Sequence, residues 1–113
     1  MNITFADEKL KKYANNIRLA NKKLGPKRSK IYQRRLQDMA DAESFDDLKH
    51  LPGRFHQLKA DRADHWACDL DQPYRLVFMP GETPIPKDQH GKQLLSEIRI
   101  VEIQEITNYH KEN

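Results

Sequence analysis

The sequence has few of the features that make a protein disulfide-rich, zinc-binding or membrane-spanning. Cys68 is the single cysteine among 113 residues, which excludes an intrachain disulfide and provides no zinc-ligand spacing. No run of eighteen apolar residues occurs, and the first residues contain no secretory hydrophobic region. We therefore expect a cytoplasmic protein with no membrane segment and with no metal or other cofactor.

The charge of the chain is unevenly distributed. The length of 113 residues suits one small domain, residues 1–113, around a single core. The net charge is +3, yet residues 1–40 carry eleven Lys plus Arg against three Asp plus Glu, whereas residues 41–113 carry nine against fourteen. A basic half of this kind can bind a nucleic-acid backbone or an acidic protein. The same side chains could instead keep the outer faces of helices soluble, and both explanations are open.

Apolar spacing predicts two helices after a short strand at Asn2–Phe5. A single amphipathic helix is predicted over residues 7–24, and Gly25-Pro26 ends it and starts a second helix that runs to about Ala40. We expect the two helices to form an antiparallel hairpin. The apolar residues of the first helix lie three or four positions apart, at Leu10, Tyr13, Ala14, Ile17, Ala20 and Leu24.

The second half of the chain shows the period of two that is typical of strands. A short helical turn is predicted over residues 45–50, then strands around 66–70 and 74–79, and a last strand over 97–106 with a bulge or with burial on both faces. Cys68 alternates with polar neighbours, so we expect it in the core. The predicted fold class is α+β: the N-terminal strand and helical hairpin pack on a mainly antiparallel, curved sheet.

A loop of seventeen residues, 80–96, separates the last two predicted strands. Loops of this length in small domains are either functional or mobile. His90-Gly91-Lys92 at its tip is a possible RNA contact, although a solvated tip is the commoner arrangement. Leu94 and Leu95 are predicted to anchor the loop to the core.

Two distant segments contain the residues with the clearest chemistry. Residues 51–59 supply His56 and Lys59, and residues 107–111 supply Tyr109 and His110, while Arg75 lies in a predicted strand. Metal-free RNA cleavage needs a base for the ribose 2′-hydroxyl, an acid for the leaving 5′-oxygen and cations for the charge on phosphorus. Imidazoles suit both proton transfers near neutral pH, and Lys and Arg supply the charge.

The order of four motifs resembles the HigB branch of the RelE/ParE toxin superfamily. These are LPGRFHQLKADR at 51–62, HWAC at 65–68, YRLVF at 74–78 and NYH at 108–110. The resemblance implies a RelE-like fold and a ribosome-dependent mRNA endonuclease, the toxin of a type II toxin-antitoxin pair. Its partners would be the 70S ribosome with mRNA and a HigA-like helix-turn-helix antitoxin, and it would reach operator DNA only through that antitoxin.

The resemblance also suggests roles for individual residues. The family's functional His and Lys fall on His56 and Lys59, and its C-terminal Asp-Tyr-His falls on Asn108, Tyr109 and His110. Asn108 departs from the pattern, because an amide can orient His110 or contact ribose but cannot act as a base. His56 and His110 are the expected base and acid, in either order, and Tyr109 would stack on the substrate or protonate it.

Cations around these groups complete the predicted site. Lys59 and Arg75 are expected to stabilise the phosphorane, and Arg75 could equally form a buried ion pair with Asp69 or Asp71. In a regular strand His56 and Lys59 would lie on opposite faces, so both reach one phosphate only if the strand bulges or ends near Leu58. Further substrate-binding candidates are Lys27, Arg28, Arg34, Arg54 and Arg62.

Two other functions remain open for the same fold. A ParE-like relative would inhibit DNA gyrase without catalysis and would use the basic helical hairpin. The pair of histidines argues against this, since a binder has no need for proton transfer. An inactive protein-interaction module is the third possibility, and Asn108 adds weight to it.

Overall fold

Five strands form a single sheet in the computed structural model, which describes residues 1–108 apart from the side chain of Asp61. The strands are β1 (Asn2–Phe5), β2 (His56–Gln57), β3 (Trp66–Asp69), β4 (Tyr74–Pro80) and β5 (Ile100–Asn108). The helices are α1 (Glu8–Asn15), α2 (Ile17–Leu24) and α3 (Pro26–Asp41), and 3-10 turns cover Phe45–His50, Ala60–Arg62 and Leu95–Glu97.

The sheet is mixed, with the strand order β1-β5-β4-β3-β2. β1 runs parallel to β5, and the pairs β2–β3, β3–β4 and β4–β5 are antiparallel. The three helices lie between β1 and β2 in the chain. The predicted α+β class with a mainly antiparallel sheet is confirmed.

The predicted single helix over residues 7–24 was wrong, because the chain breaks at Asn16. Asn16 has extended backbone angles, φ −145° and ψ 94°, and ends α1 while it caps α2 through a hydrogen bond from the Leu19 backbone N–H to its side-chain oxygen (3.0 Å). Asparagine is among the best N-cap residues, and here its capping preference outweighs the helical period. The break leaves Ile17, which the period assigned to the core, 60% exposed.

α3 begins at Pro26, as the Gly25-Pro26 pair predicts, and Gly25 has a positive φ of 87°. Its buried face carries Tyr32, Leu36 and Met39. The Tyr32 hydroxyl donates to the Leu10 carbonyl oxygen (2.7 Å), which ties α3 to α1, and burial raises the pKa of that phenol. No helix within residues 1–108 is both long enough and apolar enough to cross a membrane.

The core lies between the helices and one face of the sheet. Three aromatic rings form its centre: Phe45 packs edge-on against Trp66 and Phe78, with ring centroids 5.5 and 5.9 Å away. Cys68 is fully buried beside them, as its place in the alternating strand predicts, and burial raises the pKa of its thiol.

The last strand begins later than predicted, at Ile100 instead of residue 97. Ile98 is fully buried but lies outside the strand, directly after the 3-10 turn. A bulge is present, but at Gln104 and not between Ile100 and Val101, where the apolar residues change phase: Val77 pairs with Glu105 and Phe78 with Ile103, so Gln104 is an extra residue on β5. The extra residue reverses the alternation and places Ile103 and Ile106 on the same face.

Candidate functional site

The sheet face opposite the helices gathers most of the candidate site residues. Trp66, Cys68, Leu76 and Phe78 belong to the core cluster, so their strand neighbours lie on the other face. We call it the outer face and define it by strand register. It comprises His56, Ala67, Val77 and Glu105 in one row across the sheet, and Asp69, Arg75 and Thr107 in the next.

His56 has one ring nitrogen fixed by the backbone. Its Nδ1 lies 2.6 Å from the carbonyl oxygen of Arg54. A carbonyl oxygen can only accept a hydrogen bond, so Nδ1 must carry a proton and donate it. In the neutral ring the lone pair is therefore on Nε2, where it can accept a proton from a substrate.

The turn before His56 is held from two sides. Gly53 and Arg54 both have positive φ, 113° and 53°. The Arg35 Nε of α3 donates to the Asp69 carbonyl oxygen (2.8 Å), and the Asp69 N–H donates to Gly53 (2.7 Å). Arg54 in turn binds the Asp69 carboxylate through its Nε (3.0 Å). Arg54 thus lies beside His56 with its side chain directed to β3.

Arg75 occupies the outer face between two strands. Its register partners are Asp69 on β3 and Thr107 on β5, which is the placement that its alternation with Leu76 predicts. Both suggested ion-pair partners bind another arginine: Asp71 binds Arg28, and Asp69 binds Arg54. Since Arg75 pairs with Asp69 and His56 pairs with Ala67, Arg75 and His56 lie on the same face in adjacent rows.

Arg62 binds Glu105 across the sheet, with Nη2 3.3 Å from Oε1. Arg62 belongs to the β2–β3 connection, whereas Glu105 belongs to β5, two strands beyond β3. The connection therefore lies over the outer face, where Ala67 and Val77 are fully buried. The positive charge of Arg62 on this face is therefore paired with the carboxylate of Glu105.

The strand that carries His56 is short. In a longer regular strand, His56 and Lys59 would lie on opposite faces. β2 ends at Gln57, and the chain turns into a 3-10 helix in which Ala60 has a φ of 60°. Lys59, the residue before that turn, is exposed. Strict alternation therefore no longer separates Lys59 from His56.

The helical candidates do not belong to the outer face. Lys27 and Arg34 are exposed on α3, which packs on the opposite side of the sheet. Arg28 makes a two-point ion pair with Asp71 (2.8 and 3.2 Å), which raises its pKa, and it covers the ring of Tyr74. Its role in substrate binding stays a prediction. We call the exposed basic residues of α2 and α3 the basic surface; they are Arg18, Lys22, Lys23, Lys27, Lys30 and Arg34.

The C-terminal candidates are only partly described. Asn108 is the register partner of Tyr74, so its side chain lies on the helix side of the sheet and not on the outer face with Arg75. The predicted roles of Tyr109 and His110 fall on residues outside the described part of the chain. Asn108 therefore has the opposite strand phase from Arg75 and Glu105.

Sequence reasoning missed His65 and Glu105. The alternation that predicted Trp66 and Cys68 as core residues also places His65, Ala67 and Asp69 on the other face, so His65 could have been found. Glu105 could not, because the bulge at Gln104 changes the phase of β5 by one residue.

The predicted loop 80–96 is anchored to β3 and the residues before it. The Trp66 indole N–H donates to the buried Gln93 side chain (2.8 Å), and Lys87 binds Asp64 (2.9 Å). The hydrogen bond from Lys87 lowers the pKa of Asp64. Leu95 packs on the core, as expected of an anchor, and the tip residues 90–92 are exposed.

The chain matches no protein-family model, and no curated protein matches it significantly. Within residues 1–108, leaving out the side chain of Asp61, no three or more His, Cys, Asp or Glu side chains are grouped so that they could hold a metal ion.

Proposed function

We propose that the protein is a toxin of the RelE/ParE type, HigB branch, that cleaves mRNA on the ribosome by metal-independent acid-base chemistry. One observation carries the proposal: His56, with Nδ1 committed to the Arg54 carbonyl, shares the outer face with Arg75. Arg54 precedes His56 in the chain, and Arg62 lies over the same face.

The orientation of His56 suits it to act as the base. Its Nε2 would take the proton of the ribose 2′-hydroxyl, and the 2′-oxygen would attack phosphorus in line with the P–O5′ bond. Arg75, with Arg54 and Lys59 as nearby cations, would offset the extra negative charge on the phosphorane. The products would be a 2′,3′-cyclic phosphate and a 5′-hydroxyl.

The remaining parts of the proposal rest on the resemblance. It assigns Tyr109 and His110 to the site, and it implies a RelE-like fold, for which the strand order and the position of the helices before β2 provide support. The partners would be a HigA-like antitoxin and the 70S ribosome, so the protein would act in the cytoplasm. The basic surface on α2 and α3 is the proposed contact with ribosomal RNA.

The test is mRNA cleavage on programmed 70S ribosomes. The wild type should cut mRNA only when ribosomes are present and should leave a cyclic phosphate, and His56→Ala should cut at least about 100-fold more slowly, since general acid-base groups contribute roughly 10²–10⁴-fold. His50→Ala, which removes an exposed imidazole from the 3-10 turn at 45–50, is the matched control. Intact mRNA with the wild type, or cleavage that requires a divalent metal, would overturn the proposal.

The exposed basic surface favours one second candidate, a ParE-like inhibitor of DNA gyrase. All six of its basic side chains are exposed. In this case supercoiling by purified gyrase would fall, Lys27→Glu with Arg34→Glu would restore it, and His56→Ala would have no effect. His56→Ala therefore separates the two functions, because it should slow mRNA cleavage but leave gyrase inhibition unchanged.

A further inference from the structure

His65 lies on the outer face next to His56. The Leu58 N–H donates to the His65 carbonyl oxygen (2.8 Å), which extends the pairing of β2 with β3 beyond His56–Ala67 and Gln57–Trp66. His56 and His65 are therefore diagonal neighbours on adjacent strands. Such residues have Cα atoms about 7–8 Å apart, close enough for two imidazoles to contact one small group between them.

One ring nitrogen of His65 is buried without a described partner. Within residues 1–108, no atom makes a hydrogen bond to its Nδ1. Buried polar atoms nearly always have a partner, so an unsatisfied imidazole nitrogen calls for a functional explanation. His56 differs in this respect, because the Arg54 carbonyl holds its Nδ1.

The backbone around His65 is firmly held. The His65 N–H donates to the Arg62 carbonyl oxygen (2.9 Å), and the Gln93 side chain donates to the Asp64 carbonyl oxygen (3.1 Å). Lys87 binds the Asp64 carboxylate (2.9 Å). The long loop thus fixes the residue that precedes His65, which is the kind of support that a preorganised catalytic group requires.

We propose that His65 is the second proton-transfer residue of the outer face and acts as the general acid opposite His56 on a ribose phosphodiester. This inference rests on the proposed function. His56 would remove the 2′-hydroxyl proton, the new O2′–P bond would form as the P–O5′ bond breaks, and His65 would give its proton to the leaving 5′-oxygen. The imidazolium of His56 and the neutral His65 would then exchange protons with water.

Two ion pairs involve residues close to His65 in the chain. Asp64 precedes it and is paired with Lys87 from the loop, and Arg62 from the β2–β3 connection is paired with Glu105 on β5. The other titratable groups on this part of the outer face are His56 on β2 and Glu102 on β5, whose register partner Met79 lies on β4 beside β3.

The experiment is the pH dependence of mRNA cleavage on programmed ribosomes for the wild type, His65→Gln, His65→Gly and the control His50→Gln. A general acid must be protonated, so the wild-type rate should fall at alkaline pH, and His65→Gln should cut about 100-fold more slowly and lose that alkaline fall. Added imidazole should restore part of the activity of His65→Gly. A structural role for His65 would lower the rate without changing the shape of the pH profile.

A measurement on the wild type covers the case in which the variants do not fold. Titration with a non-cleavable 2′-deoxy trinucleotide, followed by nitrogen NMR of the imidazoles, should shift the signals of His56 and His65 and leave His50 unchanged. If the wild type is active and His65→Gln is equally active, or keeps the alkaline fall of the pH profile, the role of His65 is overturned but the proposed function is not. An inactive wild type would overturn the proposed function and this inference with it.

Discussion

The guanidinium of Arg28 lies 3.5 Å from the centre of the Tyr74 ring and simultaneously binds the Asp71 carboxylate. Arg28 comes from the first turn of α3, whereas Asp71 and Tyr74 flank the turn between β3 and β4. One side chain therefore fastens the helical layer to the end of the sheet. Both ion-pair partners are largely shielded, with side chains 22% and 16% exposed.

Replacing Arg28 with Ala should destabilise the fold by about 2–4 kcal/mol, because it removes a cation–π contact and leaves a shielded carboxylate without this partner. Arg28→Lys should recover only part of the loss, since an ammonium cannot make the two-point bond. Urea unfolding measures both. Lys27→Ala, one residue earlier and exposed, is the control and should change the free energy of unfolding by less than about 0.5 kcal/mol.

A side chain at Gly53 should disturb the turn that presents His56. A Cβ atom there would lie 2.6 Å from Arg35 Cζ, and the φ of 113° is strained for any L residue. Gly53→Ala should therefore cost about 1–3 kcal/mol in the free energy of unfolding. Gly91→Ala shares a positive φ, 83°, but meets no atom within 4 Å, so it measures the backbone strain alone. Equal losses at both positions would contradict the clash with Arg35.

The fold was predictable where local preference and packing agree. The Gly25-Pro26 pair sets the start of α3, and alternation in β3 places Cys68 in the core; both follow from backbone chemistry and from the two-residue period of a strand. The break at Asn16 was not predictable from the apolar period, because a capping hydrogen bond to Leu19 competes with a helix that would have buried Ile17. At Asn16 the N-cap hydrogen bond therefore determines the structure, and the apolar period does not.

The candidate site was predictable only within single strands. His56 and Arg75 could be assigned a face from alternation, but their relation depends on register between β2, β3 and β4, which no short segment contains. The ion pair of Arg28 with Asp71 joins residues 43 positions apart, so it could not be foreseen from either segment alone. The phase of Asn108 depends on the bulge at Gln104.

The bond from the Trp66 indole to Gln93 should be needed to keep the long loop in place. Both groups are buried, so Gln93→Leu would leave the indole N–H without its acceptor and should cost about 1–3 kcal/mol. Hydrogen exchange should then become faster at residues 87–94, where backbone bonds join Asp88 to Lys92 and Leu94 to Pro86. Gln89→Ala, at an exposed position of the same loop, should leave both readouts near those of the wild type.

The pair of Lys87 and Asp64 should give a small, pH-dependent stabilisation. The hydrogen bond from Lys87 lowers the pKa of the Asp64 carboxyl below its usual value. Because the pKa of Asp64 is lower in the folded state, the pair stabilises the fold at pH values above the unfolded-state pKa of about 4. This stabilisation is lost as the pH falls through the pKa of the folded state. Lys87→Met should therefore cost less than about 1 kcal/mol at pH 6, since the pair is partly exposed. The difference in the free energy of unfolding between Lys87→Met and the wild type, measured by urea unfolding, should shrink toward about pH 2. A difference that does not change with pH would exclude the ion pair as its cause.

Arg75 provides the sharpest test of the charge that the outer face offers to a phosphate. If it stabilises a phosphorane, Arg75→Ala should slow mRNA cleavage on ribosomes by about 10²–10³-fold, as expected for loss of one electrostatic contact to a transition state. Arg75→Lys should restore the charge but not the forked geometry, and its rate should lie between the two. Arg99→Ala removes an exposed arginine just before β5 and should cut like the wild type. Because Arg75 is half-buried, the stability of each variant must be measured by urea unfolding alongside its cleavage rate. Slow cleavage by an Arg75→Ala variant of wild-type stability would show that Arg75 acts in the reaction. Full activity of that variant would show that Arg75 is not part of the site.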